Sequence, residues 1–121
     1  MPVTLKDIAK LAQVDTMLNL PPAERPTAFF CICDGYAMFV QRAALKLGLR
    51  VPEDVSVIGF GNSELGEAAV SPLCTIDEPY EALGQTALRV LLGQACDITP
   101  ASPDRYLLPA PLICRESVWR N

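Results

Sequence analysis

Histidine does not occur anywhere in the chain. Its absence removes serine–histidine and cysteine–histidine catalytic pairs, and every imidazole metal site, in one step. Positive charge is scarce as well. Ten lysines and arginines face 14 acids, for a net charge of −4. Before Arg25 the only cationic side chains are Lys6 and Lys10, with Asp7 between them. Proteins that grip DNA by its phosphates draw affinity from counterion release and carry a basic face, so this balance weighs against tight DNA binding. No apolar run reaches membrane-spanning length and no signal peptide pattern is visible, which predicts a cytoplasmic protein with no membrane partner.

The chemical motifs are missing too. Five cysteines occur without a C-x-x-C pair. Cys31 and Cys33 lie two apart in an expected strand and so point to one face. They read as small buried hydrophobes of a reducing compartment, and their spacing supports neither a redox couple nor a metal site. "GFGNSELG" stands between a strand and a helix, where a dinucleotide fingerprint would stand. The third glycine position, however, is Glu64, whose charge would repel a pyrophosphate. There is no Walker loop, no G-x-S-x-G and no carboxylate pair at helical spacing in an apolar cleft. The chain reads as a non-enzyme with no cofactor, no metal and no catalytic residue.

Half of the 121 residues are apolar, enough to form the core of one small domain. Thr4 with Asp7 forms a helix start signal, and Leu5, Ile8, Leu11 and Ala12 follow at helical spacing. Val14 and Leu18 continue that stripe until Pro21 and Pro22 end it. These residues predict a helix from about Leu5 to between Gln13 and Asn19. "TAFFCIC" (Thr27 to Cys33), "VSVIGF" (Val55 to Phe60) and "LCTID" are short apolar runs that read as buried strands. The helices "YAMFVQRAALKLGL", with Gly48 at its end, "NSELGEAAV" and "YEALGQTALRVLLGQ" alternate with them. "RYLLPAPLIC" closes the chain as a proline-interrupted edge segment. The order predicts an α/β fold: a small parallel sheet flanked by helices, with an N-terminal helix. In such sheets ligands sit outside the carboxyl ends of the strands, which singles out Asp34-Gly35, Gly61-Asn62-Ser63 and Glu78-Pro79-Tyr80.

At both ends the chain resembles the LacI/GalR family of bacterial transcription regulators. "VTLKDIAKLAQV" is similar to the first helix of the family's helix-turn-helix. "RPTAFFCICDGYAMFVQRAALKLGLRVPEDVSVIGFGNSE", "SPLCTIDEPYEALGQTALRVLLG" and "LLPAPLICRES" resemble the last part of its periplasmic-binding-protein-like sensor domain. The resemblance divides the chain into a helix-turn-helix remnant over residues 1–20 and a partial sensor domain over residues 21–121. Between the two, a recognition helix, a third helix, a hinge and a first sensing subdomain have no counterpart. Gln13 stands where the family's turn has glycine.

The resemblance implies a repressor that binds operator DNA, here through Thr4, Leu5 and Lys6. It implies a small-molecule effector such as a sugar or nucleobase, met by Asp34, Asn62 and Tyr80. Asp34 matches the acid of the family's Asn-Asp pair, with Cys33 in its partner's place. Gly61 and Asn62 stand where many members have two acids, and Tyr80 matches an aromatic position that packs on the ligand. Residues Glu64 to Leu73 resemble the family's dimer surface, implying a homodimer or a heterodimer with a full-length relative. Leu83, Leu88 and Leu91 are expected to lack their usual cover, and the N-terminal helix to pack as a cover over the sheet. The expected function is that of a LacI-family regulator with impaired DNA and effector binding. The alternatives are a dimerisation or decoy module, a non-functional fragment, or a small α/β enzyme.

Overall fold

The computed structural model describes residues 13–96, 98, 100–102 and 105–119. The chain forms two compact units, residues 1–77 with 112–121, and residues 78–111. The first holds helices α1 (Val14–Leu18), α2 (Asp34–Lys46) and α3 (Glu64–Glu67), and strands β1 (Ala28–Phe30), β2 (Ser56–Phe60), β3 (Cys74–Ile76) and β4 (Leu112–Ile113). The second is built on α4 (Tyr80–Leu91).

The sheet has the order β1-β2-β3-β4. β1, β2 and β3 are parallel, with Phe29 opposite Val57 and Gly59 opposite Thr75. β4 runs antiparallel to β3, with Thr75 opposite Ile113. The expected parallel sheet is therefore mixed, with one antiparallel edge strand, a frequent variation on this architecture. Each of the two parallel steps is bridged by a helix, as a parallel pair requires.

One face of the sheet carries the core. Cys31, Val55, Val57 and Leu73 meet Ala37, Val40, Ala43 and Ala44 of α2. α2 ends as the sequence predicts. Gly48 adopts φ 73, and the amides of Gly48 and Leu49 return to the carbonyls of Leu45 and Ala44 at 3.0 and 2.9 Å, a Schellman closure that favours glycine. Gln41, buried on the same helix, donates from Nε2 to the Ser71 carbonyl at 2.9 Å and pins α2 to the loop before β3.

One expectation is corrected. β1 was expected to be a buried strand over Thr27 to Cys33, but it spans three residues at the sheet edge, with Phe30 67% and Ile32 78% exposed. Successive side chains of a strand point to opposite faces; Phe29 and Cys31 face the core under α2, and Phe30 and Ile32 face the other way. Of the helix expected from about Leu5 to between Gln13 and Asn19, the described part is α1, which ends at Leu18 and is preceded by Gln13 at φ 57. A residue in that conformation does not belong to a right-handed helix, so α1 begins at Val14. The stretch before Gln13, with the Thr4–Asp7 start signal, lies outside the described residues. Val14 and Leu18, one turn apart, both join the core against α2. Leu18 is 1% exposed, a burial that stabilises by about 1.5–3 kcal/mol.

Near the chain end, Ser117 fastens the sheet. Its hydroxyl donates to the Val57 carbonyl at 2.5 Å and accepts from the Cys74 amide at 2.7 Å. Its carbonyl accepts from the Val57 amide at 2.8 Å. Fully buried, it ties Val57 of β2 to the first residue of β3. Ser117→Ala leaves a buried amide and a buried carbonyl unpaired and is expected to cost about 1–3 kcal/mol. Urea denaturation measures this, and an unchanged midpoint contradicts the role.

Candidate functional site

The carboxyl ends of β1, β2 and β3 converge on Asp34. This residue opens α2 after Cys33, whose extended backbone forms the helix boundary. Asp34 is 2% exposed, and its two oxygens are taken from inside the chain. Oδ2 accepts from the Ser63 amide at 2.6 Å, and Oδ1 accepts from the Thr75 hydroxyl at 2.6 Å. The approach is possible because β2 carries glycine opposite. A Cβ on Gly59 would collide with Asp34 Oδ1 and stand 2.9 Å from Leu73 Cδ2. Gly59, noticed in the sequence as part of an incomplete dinucleotide fingerprint, is thus a packing glycine.

Asn62 lies beside this centre with φ 49. Its amide donates to Thr75 Oγ1 at 3.2 Å, and its Nδ2 donates to Asp77 Oδ1 at 3.1 Å. Its Oδ1 accepts from Arg115 Nη2 at 2.9 Å. Arg115 also donates to the Leu73 carbonyl at 2.9 Å and to Glu67 Oε1 at 2.8 Å. Asp34 and Asn62 are brought together through Thr75, which bonds to both. Thr75, Asp77 and Arg115 were not singled out from the sequence. The carboxyl-end rule reaches Thr75 and Asp77 at the end of β3, whereas no local spacing points to Arg115.

Tyr80 belongs to the second unit. It is the first residue of α4, is exposed, and borders a shallow recess of about 340 Å³ with Pro79, Glu81, Ala82 and Gln85. None of the residues of α4 is buried, and Leu83, Leu88 and Leu91 are exposed as expected. Leu83, Ala87, Val90 and Leu91 line an apolar groove of about 310 Å³ with Tyr106 and Leu108. Thr4, Leu5 and Lys6 lie outside the described residues.

All five cysteines are free thiols. Cys31 is buried and Cys114 exposed. Burial, with a smaller push from Cys33, raises the Cys31 thiol to about 11, away from the thiolate form that reacts. Among the described residues no group of three or more acids and cysteines could hold a metal ion.

A family model of the periplasmic binding protein-like domain matches residues 3–118, running across the boundary expected at residue 20. The HTH-type transcriptional repressor PurR of Aliivibrio fischeri is 43% identical over 84 residues, 69% of this chain and 25% of that protein. The HTH-type transcriptional regulator MalR of Streptomyces coelicolor is 42% identical over 91 residues, 75% of this chain and 26% of that protein. The chain belongs to the LacI/GalR family through its periplasmic binding protein-like domain. It spans about a quarter of the length of these LacI/GalR relatives. Among solved LacI/GalR structures, the Lac repressor dimer bound to operator and an anti-inducer is similar at TM-score 0.73 and 32% identity, covering 93% of this chain and 38% of that one. A LacI family regulator from Lactobacillus casei with bound sucrose is similar at TM-score 0.71 and 27% identity, covering 96% and 40%.

Two measurements test the site's packing. Gly59→Ala forces the Asp34 carboxylate or β2 to move and is expected to destabilise by about 1–3 kcal/mol or more, read by thermal denaturation; a neutral result contradicts the tight approach. At mildly alkaline pH a thiol-specific disulfide reagent is expected to label Cys114 first and Cys31 only on unfolding. Early labelling of Cys31 in the folded chain contradicts its burial.

Proposed function

We propose that this LacI/GalR-family chain serves transcription regulation as a shortened regulator, cytoplasmic, whose own operator binding is weak or lost and whose sensor part has little effector affinity. The observation that carries this reading is α1. A helix-turn-helix reads bases with its second helix in the major groove, while the first only crosses the backbone. From Gln13 to β1 the described chain has one α-helix, five residues long, with Val14 and Leu18 held in the core. A side chain committed to that core cannot also lie in a groove. α1 contains no lysine or arginine, so it offers phosphates nothing either. On this reading residues 14–20 work as part of the sensor core, and Thr4, Leu5 and Lys6 supply at most sequence-independent backbone contacts.

Effector loss rests on the loop after β2. Gly61 offers no side-chain acceptor, and the Asn62 amide already bonds Arg115 and Asp77. Asp34, buried and fully bonded, would act on an effector only through the loop that it holds. Tyr80 alone of the three expected contacts is exposed.

A second reading, a dimerisation or decoy module that pairs with intact relatives, is favoured by Leu65 and Val70. They are 67% and 72% exposed on the segment that resembles the family's dimer surface, and apolar side chains clustered on a surface mark interaction sites. No helix among the described residues is long and apolar enough to cross a membrane.

Fluorescence anisotropy at low salt, with an operator-like duplex and a scrambled duplex, tests the first reading. Equal, weak binding of both is expected, and salt-sensitive preference for the operator duplex overturns it. Sedimentation of the chain, alone and with a full-length relative, tests the second. A dimer broken by Leu65→Arg is expected, and a monomer in both mixtures ends the pairing reading.

A further inference from the structure

We propose that Arg115 is a positioning residue that clamps the Asn62 amide and holds the loop Gly61–Asn62–Ser63 in one arrangement without a ligand. The inference rests on the reading above, in which this loop is the sensor's ligand-facing edge and no longer answers an effector.

The two ends of an asparagine amide are nearly alike in shape, so its neighbours decide which way it points. Here the neighbours leave one choice. A guanidinium only donates, and an ionised carboxylate only accepts. Arg115 Nη2 stands 2.9 Å from one end of the Asn62 amide, and Asp77 Oδ1 stands 3.1 Å from the other. The oxygen must therefore face Arg115 and the nitrogen Asp77. Turning the amide over would set donor against donor and acceptor against acceptor, losing both bonds. Both bonds have a charged partner and belong to the stronger class of hydrogen bonds.

Arg115 is itself fixed. Its backbone amide donates to Cys74 Sγ at 3.0 Å, and Nη1 donates to the Leu73 carbonyl at 2.9 Å. Its side chain is 15% exposed. Glu67, the third acceptor, is largely exposed and contributes least, because solvent screens such a pair. The guanidinium thus reaches from β4 into a corner set by β3 and delivers one hydrogen to Asn62.

The loop's backbone is closed in the same way. The Gly61 amide donates to the Ile76 carbonyl at 2.8 Å, the Asn62 amide to Thr75 Oγ1, and the Ser63 amide to Asp34 Oδ2. All three backbone donors are used inside the chain. The donors that the loop can still offer a ligand are the Ser63 hydroxyl and the second hydrogen on Asn62 Nδ2. Arg115 and Asp77 together fix which end of the Asn62 amide carries that hydrogen.

The test is the side-chain amide signal of Asn62 in ¹H–¹⁵N spectra of the full chain, identified by its loss in Asn62→Ala. In the wild type two resolved protons are expected, one slow to exchange with solvent. Arg115→Lys keeps the charge but lacks the planar fork that serves several acceptors at once. It is expected to speed exchange of that proton by about tenfold or more, and Arg115→Met to do the same. Glu67→Gln is expected to leave the signal unchanged. If Arg115→Met does not fold, the wild type and Arg115→Lys decide. A rapidly exchanging, averaged pair in the wild type overturns the proposal, as does an unaltered slow proton in folded Arg115→Lys. Addition of sucrose or glucose separates the clamp from the reading it rests on. A slow proton indifferent to sugar supports both, whereas a slow proton that shifts with sugar supports the clamp and overturns the effector-blind reading.

Discussion

The arrangement of the first unit hangs on one buried carboxylate. Taking a polar group out of water costs several kcal/mol unless it finds partners, and Asp34 finds them on two different segments. Ser63 supplies an amide from the loop after β2, and Thr75 a hydroxyl from β3. α2, β2 and β3 therefore meet at one residue, and Gly59 is the missing side chain that lets them do so. Thr75 passes the constraint on by accepting from the Asn62 amide. The loop that a LacI-type sensor would turn toward an effector is thus tied to the core through two successive hydrogen bonds.

On the proposed reading, that constraint bears on function because it engages polar groups that an effector would need. A sensor needs groups that are better satisfied with an effector than without one, since a ligand shifts an equilibrium only by its differential affinity. Here Asp34, Thr75, Asn62 and Arg115 satisfy one another. The same economy holds at the other end of the first unit. Val14 and Leu18 are held in the core against α2, and on the proposed reading a segment packed in this way is not available to read bases.

The order of elements was legible because each boundary has a local cause. Gly48 closes α2 with a left-handed residue, Pro79 precedes α4, and the apolar runs between them are short. The extent of β1 was not legible. Phe30 and Ile32 read as core from their chemistry, and only the placement of α1 and α2 on one face reveals that they stand outside it. Gln13 stands where the resemblance puts a glycine, but a non-glycine residue gives no local sign of its positive φ. Within the candidate site, Asp34 and Asn62 were found from their places at strand ends. Their shared partner Arg115 was not, because 53 residues separate it from Asn62 and only the register of β4 against β3 brings it there. Resemblance gave the family, whereas burial gave what Asp34 does.

Asp34 holds the loop after β2 from within the core. Native-state hydrogen exchange at the Ser63 amide, in the wild type and in Asp34→Asn, tests it most directly. The predicted result is a Ser63 amide that in the wild type is protected about as well as the amides of β2, and that in the variant loses this protection while the Val57 amide keeps its own. A Ser63 amide that exchanges in the folded wild type as fast as in an unfolded chain would contradict the claim.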